Sequence, residues 1–280
     1  MSILVFGKTG QVASELQARA EVIALDRGQA DLSQPQICAE AIRTARPSVV
    51  INAAAYTAVD RAEEEEALAL AINGEAPGAM ACACAELNIP LIHISTDYVF
   101  DGSGTAPWSP DDPVAPLGAY GRTKLAGEAA IRASGCAHVI LRSSWVFSAH
   151  GANFVKTMLR LSESRADLNV VDDQIGGPTP AGDIAAACLT LAEVMRQGAQ
   201  GGTYHFGGTP YASWADFARE IFSLAGRDVS VTGIPTSDYP TPATRPLNSR
   251  LDCSGITQDF GIAAPAWQPA LSHIIRELIS

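Results

Sequence analysis

The sequence predicts an α/β molecule built on a doubly wound parallel sheet, with a smaller α/β part towards its C-terminal end. Three observations point there. Short apolar runs alternate with longer helical patterns through roughly the first 150 residues, the rhythm of strand–helix–strand units. The first run, Ile3-Leu4-Val5-Phe6, is continuous rather than alternating, the mark of a strand covered on both faces. A glycine turn, Gly7-Lys8-Thr9-Gly10, follows it immediately.

After that turn, residues 12–20 carry a helical pattern and residues 22–25 a second strand ending at Asp26. Residues 34–45 form a helix stopped at Arg46-Pro47, because proline has no amide proton and bars the residue before it from helical geometry. A third strand, 48–51, runs into Asn52-Ala53-Ala54-Ala55. The acids at 63–66 open a helix, where negative charge suits the positive end of its dipole. Residues 77–87 are a further helix, 91–94 a strand, 124–133 the end of a helix carrying Tyr120, and 139–142 another strand. Beyond about residue 150 the rhythm loosens into a helix at 153–163, a strand at 168–171, a helix at 182–195, a strand at 203–206 and a helix at 213–225. Residues 234–247 hold Pro235, Pro240, Pro242 and Pro246 and read as a loop, either part of a binding site or a plain connection. The expected division is a dinucleotide-binding domain over 1–150 and a mainly substrate-binding domain over 151–280, with about 182–206 returning to the first.

At 280 residues, with 47% hydrophobic and 18% charged side chains, the chain has the makings of an ordinary globular protein with a sizeable core. A net charge of −11 repels polyanions, which excludes nucleic acid or an anionic membrane as a main partner but not one small nucleotide in a locally basic cleft. No apolar run reaches membrane-spanning length and the first strand leaves no room for a signal peptide, so a cytoplasmic protein is expected. The six cysteines form no pair of CxxC clusters and have no histidines at zinc spacing. Cys82 and Cys84 point different ways on a helix, and buried reduced thiols are the better reading.

The turn Gly7-Lys8-Thr9-Gly10-Gln11-Val12-Ala13 stands between first strand and first helix, where a dinucleotide pyrophosphate rests on helix N-terminal amides. Gly7 and Gly10 permit the tight turn and close approach, and Ala13 takes the place of a third glycine. Asp26 lies 19 residues beyond Gly7, near the distance expected of a carboxylate that accepts ribose hydroxyls. Asp26 favours the free diol of NADH and Arg27 the 2′-phosphate of NADPH, so either cofactor is expected to serve. A plain surface ion pair between Asp26 and Arg27 is the other reading. Asp31-Leu32 and Ala53-Ala54-Ala55 are placed to flank an adenine and a ribose. Tyr120 and Lys124, four residues apart, share one helix face. A phenol beside a fixed ammonium is a proton donor whose pKa is pulled down. Upstream, Ser95-Thr96 places hydroxyls at the end of the apolar run 90–94.

The order of glycine turn, Asn-Ala-Ala-Ala, Ser95-Thr96-Asp97-Tyr98-Val99-Phe100-Asp101-Gly102 and Tyr-x-x-x-Lys resembles the extended short-chain dehydrogenase/reductases, and in detail the dTDP-4-dehydrorhamnose reductase family among them. The likeness runs from end to end. It includes Arg142-Ser143-Ser144-Trp145-Val146-Phe147, Asn153-Phe154-Val155-Lys156-Thr157-Met158, Asp173-Gln174-Ile175-Gly176-Gly177-Pro178-Thr179 and Arg245-Pro246-Leu247-Asn248-Ser249-Arg250-Leu251. The resemblance implies a Rossmann-type fold, NADPH or NADH as reductant, a small-molecule nucleotide sugar as partner, and a monomer or homodimer. By the same resemblance Tyr120 donates a proton to a 4-keto oxygen, and Lys124 holds the nicotinamide ribose while lowering the phenol's pKa. Thr96 hydrogen-bonds the keto oxygen, Asp97 and Trp145 meet the sugar nucleotide, and Asn153 and Arg245 reach its diphosphate. Some members place magnesium between subunits on three glutamates. Glu15 and Glu277 stand at two of those places but Gly182 at the third, with Asp183 adjacent, so the ligand set is incomplete and no metal is expected. A 4,6-dehydratase would carry a second acid where Tyr98 stands. A non-enzymatic NADP-binding regulatory subunit on the same fold is the remaining alternative, against which Thr96, Tyr120 and Lys124 weigh.

Overall fold

The computed structural model of the chain describes residues 2–280. Strand β1 (Ile3–Phe6) is buried along its whole length, as a continuous apolar run requires. It is followed by α1 (Gln11–Arg19), β2 (Ile23–Leu25), α2 (Pro35–Ala45), β3 (Val49–Asn52), α3 (Val59–Ala62), α4 (Glu66–Leu70), α5 (Ala76–Leu87), β4 (Leu91–Thr96), α6 (Ala119–Ala133) and β5 (His138–Ser143). The rest comprises β6 (Val146–Phe147), α7 (Phe154–Leu161), β7 (Asp167–Val171), β8 (Ile175–Gly176), β9 (Thr179–Pro180), α8 (Ala181–Arg196), β10 (Gly202–His205), β11 (Ala212–Ser213), α9 (Trp214–Ala225), β12 (Ser230–Ile234), β13 (Asn248–Ser249), α10 (Ser254–Phe260) and α11 (Trp267–Ile279).

Six strands form one parallel sheet in the order β2-β1-β3-β4-β5-β10. Because β2 lies on one side of β1 and β3 on the other, the chain reverses direction there. A crevice opens beyond the carboxyl ends of β1 and β3, where open α/β sheets bind ligands. One face of the sheet is covered by a core that includes Leu16 of α1 and Ile184, Cys188 and Leu191 of α8. The other face packs Ile42 of α2, Met80 and Cys84 of α5 and Ile131 of α6. A separate core of Phe147, Val155, Phe217, Phe222, Trp267 and Leu271 holds the C-terminal elements together.

Two differences from expectation have plain causes. The helix expected to start at residue 77 is continuous from Glu66 to Leu87, through a single wider turn at Ala71–Glu75. Pro77 offers no amide proton to the preceding turn, and a π-type turn reroutes the hydrogen bonds around that gap. At 22 residues and a mean hydropathy of 1.2 over its apolar window, this helix would be long enough to cross a membrane, contrary to the expectation that no run is. Half of that window is buried, and it packs on α2 and α6 as a helix of the core. The proline stretch remains without regular structure after β12, apart from one 3-10 turn at Thr236–Asp238.

Candidate active site

At the crevice, Gly7 has φ of +101°, a left-handed backbone that suits glycine, and a Cβ there would touch Ala53 and Ala54 at 3.4 Å. Gly10 caps α1 with no side-chain hydrogen bond and no acid in the first turn. The helix therefore presents bare amides and its positive end to the crevice, which fits a pyrophosphate. Val12 is buried below the turn. Gln11 donates to the Val146 carbonyl at 3.3 Å and accepts from Asn153 Nδ2 at 3.0 Å, tying the turn to the C-terminal elements. Ala53, Ala54 and Ala55 are half-buried beside Gly7. Asp26 accepts amide protons from Gly28 and Gln29 and faces Lys8 Nζ at 3.4 Å. Arg27 turns instead to Asp31, at 3.2 Å, so the surface pair between Asp26 and Arg27 is not formed. The Leu32 side chain is buried in the core with β1 and α2.

Beyond β4 the reactive groups converge. The Tyr120 phenol stands beside Thr96, whose Oγ1 donates to Asp97 Oδ1 at 3.1 Å and accepts from the Tyr98 amide at 3.2 Å. Tyr98 meets Tyr120 edge-on, with centroids 5.5 Å apart. Asp97 is 2% exposed, and its Oδ2 has no hydrogen-bond partner among the described residues. Burial pushes this carboxyl up to about 6, against the opposing effects of the neighbouring Ser249 hydroxyl and the Thr96 hydrogen bond. A buried acceptor without a donor is where a ligand hydroxyl is wanted. Burial also pushes the Tyr120 phenol up to about 12, with the neighbouring Thr96 hydroxyl acting the other way. The expected lowering by Lys124 is absent in the protein alone. Lys124 Nζ is turned to His93 Nε2 at 3.1 Å and the Ile94 carbonyl at 2.7 Å, and burial pulls the amine down to about 8.

Helix α6, which carries both residues, is fastened at each end. Gly118 caps it without a side chain, and Glu63 Oε1 accepts the Ala119 amide at 2.8 Å in its place. Glu66 forks onto Arg122 at 2.9 and 3.0 Å. The run opens its own helix as expected, with Glu66 in the first turn of α4, and two of its members, Glu63 and Glu66, also serve the start of α6. One turn after Lys124, fully buried Glu128 takes both arms of Arg142, at 2.9 and 2.7 Å, and the Ser95 hydroxyl at 2.6 Å. Burial alone would raise the Glu128 carboxyl, but Arg142 outweighs it and holds it low. Gly121 lets the helix close on β4: a Cβ there would stand 2.2 Å from the Tyr98 carbonyl oxygen.

The expected substrate residues lie further along the same cleft or are committed elsewhere. Trp145, at φ +50°, stacks on Trp214 with centroids 3.6 Å apart, and the Trp214 indole donates to Gln174 at 3.2 Å. The Arg245 guanidinium forks onto Asp60 at 3.1 and 2.8 Å, so it is engaged rather than free for a diphosphate. This pair latches the proline loop to α3. Asn153 caps α7 through the Lys156 amide and spends its NH2 on Ser148 and Gln11, which places it at the cofactor turn. Sequence reasoning missed His93, Asp60, Ser249, Trp214 and the bracing acids Glu63 and Glu128. Their partners are distant in the chain, and only the length of the apolar run before Thr96 pointed near His93.

The residues do not fit the intersubunit metal. Glu15 is paired with Arg19 of its own helix, and a Cβ on Gly182 would stand 2.5 Å from that guanidinium. Glu277 is exposed on α11, which packs on α9. Among the described residues no group of three His, Cys, Asp or Glu side chains converges on one point.

The family model described as RmlD substrate binding domain matches residues 1–280. The chain is 43% identical over 290 residues to the dTDP-4-dehydrorhamnose reductase of Sinorhizobium fredii, covering all of this chain and 98% of that one. A crystal structure of a dTDP-4-dehydrorhamnose reductase from Clostridium acetobutylicum superposes with a TM-score of 0.94 at 37% identity, over 100% of both chains. That of the Bacillus anthracis reductase in complex with NADP gives 0.93 at 32% identity, over 99% of each.

Proposed function

The chain belongs to the RmlD substrate binding domain family, and from that premise we propose that it reduces the 4-keto group of dTDP-4-dehydro-L-rhamnose to give dTDP-L-rhamnose, with NADPH or NADH as reductant. The observation that carries this reading is the meeting of Thr96 and Tyr120 beside a dinucleotide crevice, with buried Lys124 one turn behind. The dinucleotide supplies a hydride to the carbonyl carbon. Gly7, Gly10, Gln11 and the first amides of α1 hold its pyrophosphate, with Val12 packed below. Asp26, Arg27, Asp31 and Ala53 to Ala55 border its adenosine side. Tyr120 donates the proton that the carbonyl oxygen needs, and Thr96 hydrogen-bonds that oxygen and fixes its direction. Lys124 binds the nicotinamide ribose, and its positive charge then favours release of the phenol's proton. Asp97 Oδ2 accepts from a sugar hydroxyl, and the Trp145–Trp214 stack offers an apolar face for the deoxysugar or base. Arg245 reaches a diphosphate only by leaving Asp60, and Asn153 acts by bracing Gln11.

Asp26 favours the ribose diol while Lys8 and Arg27 stand ready for a 2′-phosphate, which supports use of both cofactors. We assign residues 151–280 mainly to the nucleotide sugar, with α8 and β10 belonging to the first domain. The six free cysteines suit a cytoplasmic setting. The deciding experiment incubates the protein with dTDP-4-dehydro-L-rhamnose and NADPH, follows oxidation of the dinucleotide and determines the product's configuration by NMR. Dinucleotide binding without turnover would replace this reading with that of a regulatory subunit.

A further inference from the structure

The hydrogen bonds around Lys124 set a condition on its charge. Nζ lies 3.1 Å from His93 Nε2 and 2.7 Å from the Ile94 carbonyl oxygen. The other ring nitrogen, Nδ1, lies 3.1 Å from Asn52 Nδ2, and Asn52 Oδ1 accepts the Ala54 amide proton at 3.1 Å. All three side chains are buried. The Ala54 bond orients the Asn52 carboxamide: its oxygen is committed, so its NH2 faces the ring. A carboxamide nitrogen only donates, so Nδ1 must accept and the ring's single proton sits on Nε2. Nε2–H then points at Nζ. Facing an ammonium it opposes another donor, whereas facing the lone pair of a neutral amine it makes a hydrogen bond. Turning the carboxamide over only moves the conflict to the Ala54 amide.

We propose that His93, fixed as its Nε2–H tautomer by Asn52, is a positioning residue that favours the uncharged form of the Lys124 amine in the free protein, and that dinucleotide binding draws a proton from solvent onto Nζ. This deepens the reductase reading and rests on it, because that reading brings the ribose hydroxyls to Nζ. Those oxygens accept from an ammonium, which the ring in this tautomer does not, so the ligand favours the charged form and binding is linked to proton uptake. The surroundings agree. Burial pulls the amine down to about 8, opposed by Glu128 one turn on, whose charge is already shared with Arg142 of β5 and Ser95 of β4. Burial keeps His93 well below the usual histidine range, hence neutral. The other acids at the cleft, buried Asp97 and half-buried Tyr120, are placed at about 6 and about 12, on either side of the window in which the amine titrates.

Calorimetric titration of the full chain with NADPH at about pH 8.5, in buffers of different ionisation enthalpy, counts the protons taken up. At that pH ordinary histidines and the 2′-phosphate are already deprotonated, and uptake approaching one proton per site is expected. In His93→Gln the carboxamide oxygen is free to accept from an ammonium, so uptake falls below about half of the wild-type value and the alkaline limb of kcat/KM moves to higher pH. NADPH binding without uptake, or unchanged uptake in H93Q, overturns the proposal alone. Absence of binding by NADPH and by NADH alike overturns the reductase reading and the proposal with it. Nitrogen-15 shifts of the His93 ring in the free wild-type protein, which need no variant, are expected to place its proton on Nε2. A proton on Nδ1 overturns the tautomer and the proposal.

Discussion

At Tyr120 burial and the neighbouring Thr96 hydroxyl oppose each other, and burial wins, pushing the phenol up to about 12 in the protein alone. It is therefore fully loaded with its proton at neutral pH, and only a charged Lys124 and the developing alkoxide make it give that proton up. Tyr120→Phe should lose roughly 10²–10⁴ in turnover while NADPH binding stays near wild type. Turnover kept above about half, in an assay limited by chemistry, would take the proton donor elsewhere. Asp97 makes a second, pH-dependent prediction. Its folded pKa of about 6 lies above the ordinary carboxyl value, so the native state binds the proton more tightly than the unfolded chain. The stability this contributes is present below about pH 4 and is lost as pH rises through about 6. Relative to wild type, Asp97→Asn should thus gain stability, on the order of 2 kcal/mol, between about pH 4 and pH 7. Denaturant midpoints across that range would show it, and a pH-independent difference would contradict it. Turnover should fall as well, since Oδ2 is no longer there to accept. Thr96, Tyr120 and Lys124 were legible because strand end and helix spacing are local patterns. The partners of Asn153 and Arg245 in the protein alone, Gln11 and Asp60, stand 142 and 185 residues away and leave no trace in a local reading.

Helix α6 shows what decides geometry at the scale of an element. Its own sequence carries the reactive pair and the small residues Gly121 and Gly127 that let it close on β4 and the helix before it. It does not carry its own cap, which comes from Glu63, nor the anchor of Glu128, which is Arg142 on β5. The acidic run was legible as a dipole partner of its own helix, but its service to α6 was not, since a carboxylate acts on whichever amides folding brings near. Glu128→Ala leaves Arg142 buried without a counter-charge and should cost about 3–5 kcal/mol, read from chemical denaturation. Glu63→Ala should cost only about 1 kcal/mol of stability, as loss of a cap does, yet lower kcat more than its effect on NADPH affinity by loosening the first turn around Tyr120. A Glu128→Ala protein as stable as wild type would show that Arg142 finds another partner.

Across the whole molecule, the parallel sheet was readable because buried strands are continuous apolar runs and each is followed by a helix of the right period. The pairing of β10 with β5 and of α1 with α8 depends on contacts between segments far apart in the chain. That second pairing decides the question of metal. In the packed helices Glu15, Arg19 and half-buried Asp183 share the space around Gly182. Burial raises the Asp183 carboxyl, Arg19 acts to lower it and Glu15 adds to the rise, so Arg19 is the cation this cluster is built around. A hard divalent ion wants several oxygens at once, and here it would have to break the Glu15–Arg19 pair to obtain two. Hydride reduction with a phenol as proton donor needs no Lewis acid in addition. EDTA should therefore change neither turnover nor the mass of the assembly in solution, and added magnesium should not shift the melting temperature. Gly182→Glu supplies the missing carboxylate and, from the position of its Cβ, pushes Arg19 aside, so that variant should acquire a magnesium-dependent melting shift. Activity lost in EDTA and restored by magnesium in the wild-type protein would mean that Arg19 yields its place, and that the charge balance between α1 and α8 has been read the wrong way round.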